Sequence, residues 1–101
     1  MARFDLYRVH NWPIPLLVDV QADFLDDLSS RVVIPLKSQA NTSGPDLPRL
    51  TPTLIIEGQP YWLMTSEIGA QPLRWLGQPV GNIRQHRDTI TAAMDFLFQG
   101  F

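Results

Sequence analysis

The sequence predicts an α+β domain, with a mainly antiparallel, barrel-like sheet followed by one C-terminal helix. Three observations carry this. Short runs of strand formers with period-two alternation open the chain. Two apolar runs flank Glu57-Gly58-Gln59, a hairpin signal. The last segment repeats apolar side chains at helical spacing. At 101 residues, the chain is expected to form a single domain over 1–101.

The elements follow in order. Phe4-Asp5-Leu6-Tyr7-Arg8-Val9 reads as a strand with Phe4 and Leu6 on one face. Asn11-Trp12-Pro13-Ile14-Pro15 breaks it as a turn. Leu16-Leu17-Val18-Asp19-Val20 returns, with Leu16, Val18 and Val20 facing one way. An acidic connector covers residues 23–27. Arg31-Val32-Val33-Ile34-Pro35 is a third strand, ended by its proline. Residues 37–52 lack periodicity and hold Pro45, Pro48 and Pro52, which marks a mobile or functional segment. Thr53-Leu54-Ile55-Ile56 and Pro60-Tyr61-Trp62-Leu63-Met64 form the hairpin. Residues 66–81 are mixed, with a short strand at Leu73-Arg74-Trp75-Leu76. A helix spans residues 83–98. Asn82 and Gln85 make a capping-box-like start, and Gly100 stands at the C-cap. Ile83, Ile90, Ala93, Met94 and Leu97 form its inward stripe.

Composition excludes several functions. Eight Lys and Arg against ten Asp and Glu leave a net charge of −2, which supplies no basic stripe for phosphates. Unaided nucleic-acid binding is not expected. The absence of cysteine removes disulfides, thiolate metal sites and thiol nucleophiles, and fits a reducing compartment. Asp5 sits where a signal peptide needs an apolar run, and no stretch approaches the ~20 apolar residues of a membrane span. A cytoplasmic protein with no membrane association is the expectation.

Catalytic chemistry finds little support. His10 and His86 have no ligand-spaced partners, so no metal and no cofactor is expected. Asp19, Asp23, Asp26 and Asp27 offer either an acid/base pair or a solvated connector of turn-forming aspartates, and turn chemistry alone explains them. No nucleophile elbow, P-loop or dinucleotide fingerprint occurs, and Ser29, Ser30 and Ser66 lack a recognisable base. The chain is not expected to be an enzyme. The C-terminus is more informative. On a helical wheel, Asp88, Asp95 and Gln99 lie opposite the stripe, Phe96 falls with them, and Phe98 lies at the border. Phe101 follows the cap glycine. Two readings stay open: Phe101 packs back over Phe96, as cap contacts often do, or these aromatics form a patch for a partner.

Four segments resemble the CcdB family of plasmid and chromosomal toxins. They are Leu17-Val18-Asp19-Val20-Gln21-Ala22-Asp23, Arg31-Val32-Val33-Ile34-Pro35-Leu36, Met64-Thr65-Ser66, and Ala92-Ala93-Met94-Asp95-Phe96-Leu97-Phe98-Gln99-Gly100-Phe101. They occur in the family's order and spacing, across essentially the whole chain. The resemblance implies an SH3-like barrel with a small extra sheet and a C-terminal helix. It implies a homodimer that inserts into the gyrase A subunit and traps the cleaved DNA complex. It also implies neutralisation by a CcdA-like antitoxin, with operator DNA bound only through the toxin–antitoxin complex. Phe24, Leu25, Asp95, Phe98, Gln99, Gly100 and Phe101 are the implied gyrase contacts. Gln99 departs from the tryptophan of the family pattern, and Phe24, Leu25 and Asp95 stand where that pattern carries Ile, Ile and Asn. Asn41, Ser43, Asp46, Leu47, Arg49 and Leu50 are the implied antitoxin contacts. An endoribonuclease toxin on the same barrel, drawing on Arg8, His10 and Arg31, and a non-toxic antitoxin-binding homologue are the alternatives.

Overall fold

The computed structural model describes residues 2–9, 16–25, 27–40, 43–44 and 47–101. The expected turn at residues 11–15 lies outside them, as do His10, Asp26, Asn41 and Asp46. Among the described residues, seven strands build one sheet: β1 (Asp5–Arg8), β2 (Leu16–Asp19), β3 (Ser30–Ser38), β4 (Thr53–Ile56), β5 (Gln59–Leu63), β6 (Gly69–Pro72) and β7 (Gly81–Asn82). The order is β4-β5-β3-β2-β1-β7, with β6 pairing with β3 beside that path. All pairings are antiparallel. A one-turn helix α1 (Leu73–Leu76) follows β6, and the long helix α2 (Arg87–Gln99) ends the chain. This curled antiparallel sheet with a C-terminal helix is the expected α+β, SH3-like class.

The opening strands match the period-two reading. Leu6, Leu16, Val18 and Val20 enter a core shared with Ile34, Leu36, Leu54, Ile56 and Leu63. Ile83, Ile90 and Ala93 close that core from the C-terminal segment. Full burial of a side chain such as Ile90 stabilises the fold by roughly 1.5–3 kcal/mol. Residues of the other parity, Tyr7, Leu17 and Val33, form a smaller cluster with Leu76 on the opposite face. The strands are therefore buried on both sides near the centre of the sheet.

The third strand does not stop at its proline. β3 runs through Pro35 to Ser38, and Pro35 pairs with Leu17. On its other side, β3 meets β6 over residues 30–33 and β5 over residues 36–38. Pro35 lies in the gap between these partners, where its missing N–H leaves no ladder bond unmade. Its carbonyl still accepts from the Met64 amide at 2.9 Å. The irregular segment consequently starts two residues later than expected, because Lys37 and Ser38 pair with Trp62 and Tyr61.

The hairpin forms as expected, with a tighter loop. Ile56 pairs with Gln59, leaving Glu57 and Gly58 as the turn, at φ of 51° and 78°. Positive φ at both central residues defines a type I′ turn, whose twist suits the flanking strands.

Leu73-Arg74-Trp75-Leu76 is a helical turn rather than a strand, and the strand precedes it at β6. A strand would place Leu73 and Trp75 on one face. The helical turn instead aligns Leu73 with Leu76, three positions on, against the smaller cluster, and leaves Trp75 65% exposed. The C-terminal helix also starts later than expected. Gly81 and Asn82 pair with β1, a 3-10 turn covers Arg84–His86, and α2 begins at Arg87. The expected capping box does not form: the N-cap of α2 is His86, with no side-chain cap bond, and Asn82 Oδ1 instead accepts from the Arg84 amide at 2.9 Å, two residues on, as in an Asx turn. Gly100 ends α2 in the left-handed conformation, its amide donating to the Phe96 carbonyl at 2.9 Å.

Candidate interaction surface

Asp19 is the first correction at the site. It is no part of a solvated connector. Its side chain is fully buried on the sheet face away from α2, paired with Arg31. Arg31 Nε donates to Oδ2 at 2.7 Å and Nη2 to Oδ1 at 3.0 Å. Desolvation by burial raises the Asp19 pKa above the usual aspartate value. Hydrogen bonds from Arg31 and from the Gln21 amide, with the Arg31 charge, pull the other way without overcoming it. Arg31 is thus sealed inside the fold, unavailable to a scissile phosphate.

This buried pair lies next to an exposed turn. Asp23–Leu25 form a 3-10 turn in which Phe24 is 86% exposed. Asp23 faces solvent, but its Oδ1 accepts from the Arg3 amide at 2.7 Å, which ties the turn to the entry of β1. Gln21 supports the turn from below, donating from Nε2 to the Leu25 carbonyl at 2.9 Å.

Helix α2 turns its outer face toward the same region. Arg3 and Asp23 line a cavity of about 600 Å³ together with Arg87, Thr91 and Asp95 of α2. A second cavity, of about 550 Å³, lies between the turn at residues 48–52 and α2, bounded by Pro48, Arg49, Pro52, Asp95 and Phe101. Asp95 borders both. The fold therefore brings Asp95 beside Asp23 in one cavity and beside Phe101 in the other.

The aromatics at this end divide. Phe96 is half-buried, and Arg49 stacks on its ring at 4.5 Å. Phe98 is 69% and Phe101 75% exposed. Phe101 does not bury itself over Phe96. Gln99 and Gly100 are exposed beside them.

The implied antitoxin residues are only partly described. Ser43, Leu47 and Arg49 are exposed and Leu50 is half-buried. The turn holding them is local, with the Leu50 and Thr51 amides both donating to the Leu47 carbonyl, at 3.1 and 2.8 Å. Gly44 lies against the Trp62 indole so closely that a Cβ would meet Cζ2 at 2.7 Å. Only glycine allows the loop to approach β5 there.

The described residues contain no group of three His, Cys, Asp or Glu side chains placed to hold a metal. Nor is any helix among them long and apolar enough to cross a membrane. His86 hydrogen-bonds the Ile55 carbonyl at 2.9 Å, a structural role the sequence did not reveal. Gln21 lies in one of the four family-like segments, but nothing along the chain pointed to its bonds with Val32 and Leu25. Residues 3–100 match the family model described as CcdB protein.

Proposed function

This chain belongs to the CcdB family, toxins of toxin–antitoxin modules that act on DNA gyrase, and we propose that it poisons gyrase by trapping the cleaved DNA complex. The observation that carries the reading is the pair of exposed aromatics, Phe98 and Phe101, at the C-terminal end of α2. Large apolar side chains exposed together mark a surface that a partner covers. A poison of this kind performs no bond chemistry. It binds one conformational state of its target better than the others and so shifts the population toward that state. Gyrase contact runs through Phe24, Leu25, Asp95, Phe98, Gln99, Gly100 and Phe101.

The toxin acts in the cytoplasm as a homodimer, which presents two anchors to a twofold target. Half-buried Ile68, Met94 and Leu97, with the side of β6 that no described strand pairs, supply the surface for pairing. A CcdA-like antitoxin neutralises it over the segment holding Asn41, Ser43, Asp46, Leu47, Arg49 and Leu50, and operator DNA is reached only through that complex. Expression in wild-type cells and in cells with a resistant gyrase A subunit tests the reading. Killing confined to the wild type supports it. Equal killing of both, or RNA cleavage by the purified protein, overturns it.

A further inference from the structure

A three-residue 3-10 turn has little stability of its own. Phe24, almost fully in solvent, contributes no packing that would hold the turn at Asp23–Leu25 in place. Its internal bonds are modest: the Leu25 amide reaches the Ala22 carbonyl at 3.1 Å, and the Leu28 amide reaches the Leu25 carbonyl at only 3.4 Å. The shorter bond to that carbonyl comes from Gln21 Nε2, at 2.9 Å.

Gln21 is itself buried and held at every polar group. Its amide donates to Asp19 Oδ1 at 3.0 Å, and its carbonyl accepts from Arg31 Nη2 at 3.3 Å. Its side-chain Oε1 accepts from the Val32 amide at 3.1 Å. The side-chain amide is thus fixed through its oxygen to β3 and through its nitrogen to the exposed turn. The buried Asp19–Arg31 pair holds the backbone between them.

We propose that Gln21 is a positioning residue for target recognition, a strut that braces the Asp23–Leu25 turn against β3 and so presents Phe24 preorganised. The proposal rests on the reading that Phe24 and Leu25 touch the target. Preorganisation raises affinity by removing the ordering cost from the binding step.

Gln21→Met keeps the side-chain length and removes both side-chain bonds. Gln21→Glu keeps the acceptor toward Val32 and replaces the donor toward Leu25 with a carboxyl oxygen that faces its carbonyl. Affinity of the intact chain for the gyrase A subunit is measured for each variant, for Phe24→Ala, and for the double variants. Each Gln21 variant should weaken binding roughly five- to tenfold, the scale of one lost hydrogen bond. On the Phe24→Ala background the same change should cost clearly less, because much of what the strut positions is that ring. A merely structural role would give the same loss on both backgrounds. Additive losses, or an unchanged affinity for Gln21→Met while Phe24→Ala weakens binding, overturn the strut and leave the site standing. An unchanged affinity for Phe24→Ala overturns both. If Gln21→Met does not fold, Gln21→Glu carries the comparison. Loss of fold in both variants assigns Gln21 to the architecture as a whole and overturns the proposal.

Discussion

Arg31 Nε sits 2.7 Å from Asp19 Oδ2, and neither side chain reaches solvent. The pair joins adjacent strands, β2 and β3, on the sheet face where Leu73 and Leu76 of α1 pack against Tyr7, Leu17 and Val33. Breaking it one partner at a time strands a charge in a dry site. Asp19→Asn and Arg31→Met should each lower unfolding stability by about 3–5 kcal/mol in urea denaturation. Replacing both with apolar residues of similar volume should cost less than either single change. A loss below ~1 kcal/mol for Asp19→Asn would contradict a dry, paired site.

The pH dependence of Asp19 follows from its raised pKa. The folded state holds this proton more tightly than the unfolded state does. The contribution of Asp19 is therefore most favourable below the ordinary carboxylate value. It is lost as pH rises from there through the raised folded value, and levels off above it. Carboxyl-carbon NMR of Asp19 should show a midpoint above the ordinary aspartate value, and a depressed midpoint would reverse the assignment.

Removing Gln99-Gly100-Phe101 should abolish toxicity and leave the fold intact. All three residues are exposed and lie beyond Ile90 and Ala93, which anchor α2 in the core. Circular dichroism and a killing assay check the two halves of this expectation. A folded truncation that still kills would place the anchor elsewhere.

Gln99→Trp should strengthen inhibition of supercoiling. Gln99 is exposed between two exposed phenylalanines, so an indole there meets no steric obstacle within the fold. A seated aromatic anchor contributes about 2 kcal/mol or more, which is more than tenfold in the inhibitory concentration. An unchanged inhibition curve would mean a target pocket of another shape.

Antitoxin binding should raise hydrogen-exchange protection across residues 38–50. Leu47 and Arg49 are exposed, and this segment borders the cavity that also contains Asp95 and Phe101. A disordered antitoxin segment that folds on binding would cover those backbone amides. No gain in protection there would place the antitoxin on another surface.

The sequence by itself determined the features that depend on local spacing. Alternation showed which sides of β1 and β2 face the core, and helical spacing showed that Ile90 and Ala93 lie inward on α2. Glu57-Gly58 specified its hairpin turn, and Gly100 its helix end, through backbone preference alone. The remaining features depended on which parts of the chain meet. Pro35 is tolerated because β5 and β6 leave a gap beside it, and that gap is a property of their placement. Asp19 looks like one of a run of turn aspartates until Arg31, from the next strand, arrives to pair with it inside the fold. Leu73 and Leu76 take helical spacing because only that geometry turns both toward the small cluster of Tyr7 and Leu17. Gln21 becomes a strut only when β3 and the Phe24 turn stand on either side of it. Local propensity reads period and turn chemistry along one stretch of chain. Burial and pairing are set by contacts between distant residues, and those exist only once the sheet has closed.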